Sequence, residues 1–134
     1  MTAVQKAQIV LADDHPALLA EAARILEEDY EVVGTASNGL ELLQRVERLA
    51  PDLVVLDISM PRLDGFGAIR RLKLAGSRIK VVFLTVWEDT DFVREAIALG
   101  ADAYVVKSRM ATDLIPAINE ALAERRFISP TLRL

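Results

Sequence analysis

Residues 53–57 read Leu53-Val54-Val55-Leu56-Asp57, four apolar side chains in succession and then a carboxylate. A strand with one solvated face alternates apolar with polar residues. An unbroken apolar run this short is instead the pattern of a strand covered on both faces, as in a parallel sheet. Two further runs repeat it: Ile9-Val10-Leu11-Ala12 leads into Asp13-Asp14, and Val81-Val82-Phe83-Leu84 leads into Thr85. With less apolar candidates at residues 31–36 and 103–106, five strands are expected, the others at 8–12, 53–57 and 80–84.

The intervening segments carry helical spacing, predicting helices over 16–28, 39–49, 66–75, 90–99 and 112–125. Leu18, Leu19, Ala22, Ile25 and Leu26 form one buried stripe, and Leu114, Ile115, Ile118 and Leu122 form another. Punctuation agrees. Pro16 suits a first turn, Gly100 suits a helix end, and Asp89 and Thr112 are candidate N-caps. Pro116 would then lie near the start of the last helix, where proline is tolerated. Strict alternation of strand and helix implies a doubly wound three-layer α/β domain with right-handed crossovers. Only residues 1–6 and 125–134 read as loosely attached.

Composition narrows the function. The 134 residues are 52% hydrophobic and 27% charged, enough for one well-buried core. No apolar run approaches the ~18 residues that would span a bilayer, so a membrane role is not expected and a cytoplasmic location is. The absence of cysteine excludes thiolate metal sites and thiol nucleophiles, and one histidine excludes a polyhistidine cage. Sixteen basic against 20 acidic residues, a net charge of -4, suit a nucleic acid backbone poorly.

The strand ends carry the chemistry. Asp13 and Asp14 follow the first strand, Asp57 the third, Thr85 the fourth and Lys107 the fifth. In open α/β sheets ligands bind outside the carboxyl ends of strands at a topological switch point. Three carboxylates crowded there call for a cation, and a hard divalent ion such as Mg²⁺ suits oxygen donors. An aspartate beside such an ion can attack phosphorus and form an acyl phosphate, with a lysine and a hydroxyl stabilising the transferred group. His15 reads as a solvated residue at a helix start. Met60-Pro61 and Asp64-Gly65 shape the turn after Asp57, with glycine permitting a positive φ.

Together, Asp13-Asp14, Asp57-Ile58-Ser59-Met60-Pro61-Arg62-Leu63-Asp64-Gly65, Leu84-Thr85 and Gly100-Ala101-Asp102-Ala103-Tyr104-Val105-Val106-Lys107 resemble the receiver domain of bacterial two-component response regulators. The resemblance runs over residues 9–125. It implies a flavodoxin-like (CheY-like) five-stranded parallel sheet of order 2-1-3-4-5 with five helices. It further implies that Asp57 accepts a phosphoryl group from a phosphohistidine of a sensor histidine kinase. Asp14 would ligate Mg²⁺ directly and Asp13 through water, with Asp57 and the main-chain carbonyl of Ser59 completing the protein ligands. Lys107 would pair with a phosphoryl oxygen. Thr85 would bond another, and Tyr104 would turn inward into the space Thr85 leaves. Such a chain is a self-phosphorylating and self-dephosphorylating phosphoacceptor, not a conventional enzyme.

Three positions depart from the family's habit. Ser108 stands where proline commonly follows the lysine, so a trans peptide is expected after Lys107. Val86 replaces a small residue, and Trp87 stands where histidine is common in the NarL/FixJ-like group. The loop 84–89 and the tail Glu124-Arg125-Arg126-Phe127-Ile128-Ser129-Pro130 resemble that group, in which the tail leads to a LuxR-type helix-turn-helix domain. The expected organisation is a receiver over 1–125 and a tail or linker over 126–134. DNA would then be bound only through an output domain absent from this chain, and a homodimer on phosphorylation is an assembly the resemblance allows. The alternatives are a stand-alone regulator acting by protein contact, an inactive pseudo-receiver, and a small metal-dependent phosphatase with Asp57 as nucleophile. Ser59 stands where that phosphatase would need a second aspartate.

Overall fold

The computed structural model describes residues 5–132; residues 1–4 and 133–134, part of both expected loose ends, lie outside them. Strands β1 (Gln8–Ala12), β2 (Glu31–Ala36), β3 (Leu53–Leu56), β4 (Lys80–Thr85) and β5 (Ala103–Val106) alternate with helices. These are α1 (Pro16–Leu26), α2 (Gly39–Leu49), α3 (Gly65–Leu74), α4 (Thr90–Ala98) and α5 (Met110–Leu122). All strand pairs are parallel, and β1 lies between β2 and β3, which creates the switch point. Every residue of β3 is buried, as its unbroken apolar run requires. Alternate strand residues feed opposite layers. Val10, Val54, Leu56, Val81 and Phe83 pack with α2, α3 and α4, whereas Ile9, Leu11, Leu53, Val55 and Val82 pack with α1 and α5.

The sheet has six strands, not five. Its order is β2-β1-β3-β4-β5-β6, with β6 formed by Phe127–Ile128 beside Ala103 and Tyr104. This part of the tail is therefore tied down. Ser129, which follows β6, donates its N–H to the Tyr104 carbonyl at 2.9 Å. Its hydroxyl accepts from the Val106 N–H at 3.1 Å and donates to Asp113 Oδ2 at 2.8 Å. Arg109 holds the same carboxylate through Nε (2.8 Å) and Nη2 (3.2 Å). Burial pushes the Asp113 carboxyl upward, but the bonds from Arg109 and Ser129 outweigh it and leave it below its usual range. A depressed carboxyl stabilises the fold above the unfolded-state pKa, and that stability is lost as the pH falls through the folded value. Ser129→Ala strands the Val106 N–H and removes one of the two donors to Asp113 Oδ2, so a loss of about 1–3 kcal/mol is expected in urea unfolding at neutral pH. Wild-type stability would show that the Ser129 hydroxyl contributes nothing.

The last helix also begins earlier than expected. A 3₁₀ turn, Lys107–Arg109, runs into α5 at Met110, so Thr112 is not an N-cap and Pro116 lies inside the helix. Pro116 is exposed, which lets water take the carbonyl that its missing N–H would have met. Elsewhere Asn38 caps α2 by accepting from the Glu41 N–H at 2.9 Å, and Asp64 caps α3 through Gly67 N–H at 2.7 Å. Asp89 occupies the N-cap position of α4 without a side-chain cap bond. The positive φ expected at Gly65 occurs at Arg62 instead, at 66°. Gly65 is required for another reason: a Cβ there would lie 2.1 Å from the Asp57 carbonyl oxygen. The start of α3 thus presses directly on the backbone of Asp57.

Candidate functional site

The carboxyl ends of β1, β3, β4 and β5 bring Asp13, Asp57, Thr85 and Lys107 to one edge of the sheet. Asp13 and Asp57 are buried at 2% and 3% exposure, which is exceptional for unpaired carboxylates. They are not unpaired. Lys107 Nζ lies 2.9 Å from Asp13 Oδ2 and 2.9 Å from Asp57 Oδ2, while Asp57 Oδ1 accepts the Ile58 N–H at 2.7 Å. Burial pushes the Lys107 ammonium toward losing its proton, but the two carboxylates more than compensate and raise its pKa above the usual lysine value. The Lys107–Ser108 peptide is trans, as expected without proline.

Asp14 and His15 complete the near side. His15 is the residue before α1, and its side chain is 69% exposed. Even so, Nδ1 lies 3.0 Å from Asp13 Oδ1 and 3.1 Å from Asp14 Oδ1. Asp13, Asp14 and His15 are the metal-competent group found among the described residues, and Asp57 stands outside it, tied to Lys107. Two of the three carboxylates, Asp13 and Asp57, thus share one ammonium. The donor chemistry, carboxylate oxygens with solvent access at the half-exposed Asp14, fits a hard divalent ion.

On the far side, Thr85 is fully buried at the end of β4, and Trp87 follows it. The Trp87 indole donates to Ser59 Oγ at 2.9 Å and stacks on Phe92, with centroids 5.0 Å apart and planes at 18°. Phe92 stacks on Phe66, which meets Phe83 edge-on. Tyr104 already lies inside, 1% exposed, and its hydroxyl donates to the Trp87 carbonyl at 2.7 Å. Burial foremost, then the charges of Asp57, Asp89 and Glu88, push the Tyr104 phenol far above its usual value, so it remains a donor. Tyr104 thus occupies the inward position in this structure. Val86 is 60% exposed.

Sequence reasoning missed two of these contacts. The place of His15 directly after two aspartates was the available signal for the first. The Trp87–Ser59 bridge joins loops 28 residues apart, and no local pattern announces it.

Comparison with known proteins gives a consistent answer. Residues 9–119 match the family described as response regulator receiver domain. The transcriptional regulatory protein PdtaR of Mycobacterium tuberculosis is 40% identical over 124 residues, covering 91% of this chain and 60% of that protein. The nitrate/nitrite response regulator NarL of Escherichia coli is 33% identical over 134 residues, covering 98% of this chain and 62% of that protein. A LuxR-family two-component response regulator from Aurantimonas superposes with a TM-score of 0.89 at 32% identity, covering 94% of this chain and 91% of that one. The chain spans about 60% of the length of these curated relatives.

Proposed function

We propose that Asp57 is the phosphoacceptor of this chain, which belongs to the response regulator receiver domain family. The chain is a receiver of two-component signalling, related to LuxR-family regulators. The observation that carries the assignment is the buried Asp57 carboxylate with Lys107 Nζ at 2.9 Å, at the carboxyl end of β3. In the reaction, one Asp57 oxygen attacks the phosphorus of a phosphohistidine on a sensor kinase. The P–O bond forms as the P–N bond breaks, and the departing imidazole takes up a proton. Lys107 neutralises a phosphoryl oxygen, and Thr85 donates to another. Mg²⁺, held by Asp14 directly, by Asp13 through water, by Asp57 and by the Ser59 carbonyl, would neutralise charge on the transferred group. In a longer protein, phosphorylation would act on a LuxR-type DNA-binding domain or on homodimerisation. No helix among the described residues is long and apolar enough to cross a membrane.

Intact-mass measurement after exposure to a small acyl phosphate donor tests this reading. One phosphoryl group, removable by hydroxylamine and absent after chelation of Mg²⁺, is expected; a hydroxylamine-resistant group would overturn it. A companion expectation concerns the ligands. Asp14→Ala should weaken Mg²⁺ binding more than Asp13→Ala, measured by Trp87 fluorescence or calorimetry, because a direct ligand contributes more than one acting through water. The reverse order would exchange their roles.

A further inference from the structure

Asp13 and Asp14 do not face solvent alone; an imidazole stands between them. Nδ1 of His15 sits 3.0 and 3.1 Å from one oxygen of each. The other Asp13 oxygen is taken by Lys107, so the Oδ1 pair facing His15 is the pair left for a cation. Carboxylate oxygens only accept, hence Nδ1 carries the hydrogen they share. The His15 N–H also donates to Asp13 Oδ1, at 2.9 Å, which holds the residue at the site through its backbone.

We infer that His15 is a nitrogen donor of this metal site and determines which divalent ion it prefers; this rests on the metal reading proposed above. The spacing suits the role. Adjacent donors of an octahedral ion with bonds of about 2.1 Å lie about 3.0 Å apart, close to the 3.1 Å separation of Nδ1 from Oδ1 of Asp14, the carboxylate read as the direct ligand. An ion replacing the shared hydrogen would find the imidazole and two carboxylates already within reach of one another. The consequence is chemical. Mg²⁺ prefers oxygen and gains little from imidazole, whereas Mn²⁺ and, more strongly, Co²⁺ gain a good ligand. The site therefore accepts Mg²⁺ through its carboxylates and retains the softer ions more tightly through His15. Exposure leaves the ring free to swing aside for Mg²⁺ and to close on the others.

Calorimetric titration of the 134-residue chain with Mg²⁺ and Co²⁺ separately, for wild type, His15→Asn and Asp14→Ala, tests the inference. His15→Asn should weaken Co²⁺ at least about tenfold, the scale of a lost ligand-shell contact, and leave Mg²⁺ within about twofold, since an oxygen-seeking ion does not depend on the imidazole. The chain has one histidine, so imidazole nitrogen modulation in the electron spin echo of bound Mn²⁺ should be present in wild type and absent in His15→Asn. If Asp14→Ala weakens both ions while His15→Asn changes neither the Co²⁺/Mg²⁺ ratio nor the echo, the inference fails and the metal site stands. If Asp14→Ala weakens neither, the metal site itself fails, and the inference with it.

Discussion

Exposed to a small acyl phosphate and Mg²⁺, the Asp57→Asn protein should gain no phosphoryl mass, while the unaltered chain gains one group. The carboxylate is the nucleophile, and an amide oxygen cannot replace it at phosphorus. The surroundings favour Asp57 over its neighbours. Asp13 shares the same lysine, but its second oxygen is engaged by the backbone and ring of His15. Asp57 has only the Ile58 N–H on its second oxygen. Intact-mass spectra of the two proteins, recorded side by side, decide it. Equal labelling would move the acceptor to another residue.

Replacing Lys107 by methionine should have the second-largest effect, and on two quantities. The ammonium is the shared partner of two buried carboxylates. Its removal leaves both without a cation, and breaking a buried pair from one side costs about 3–5 kcal/mol. Metal-free Lys107→Met should therefore unfold at lower urea, and Mg²⁺ should restore part of the loss by supplying the missing positive charge. Phosphorylation should also slow by about 10²–10³, the usual effect of removing one preorganised donor to developing charge. Wild-type stability and rate together would mean that Lys107 neither holds the carboxylates nor meets the phosphoryl group. The sign with pH follows from its raised pKa: the stabilisation is present below the unfolded lysine value and is lost as the pH rises through the folded one.

Much of this was legible in the residues because parallel strands write an unbroken apolar run. The runs ending at Ala12, Leu56 and Leu84 marked three central strands, and the residue following each pointed to the site edge. What escaped was long-range or too short to carry a period. Two residues, Phe127 and Ile128, make β6 only because β5 offers a free edge and Ser129 reaches Asp113 and Val106. The need for glycine at residue 65 comes from how closely α3 approaches Asp57, not from its own dihedral angles. The inward position of Tyr104 depends on where the loop after β4 places the Trp87 carbonyl. The bridging position of His15 depends on the extended turn, with φ -107° and ψ 105°, that enters α1.

Reductive trapping bears most directly on the central claim. Borohydride reduces an acyl phosphate at aspartate to the alcohol of homoserine and leaves a phosphorylated hydroxyl untouched. After phosphorylation in Mg²⁺, reduction and peptide mapping, homoserine should appear at position 57 and at no other aspartate. Homoserine at position 13 or 14, or a stable phosphate on Ser59 or Thr85, would contradict the account.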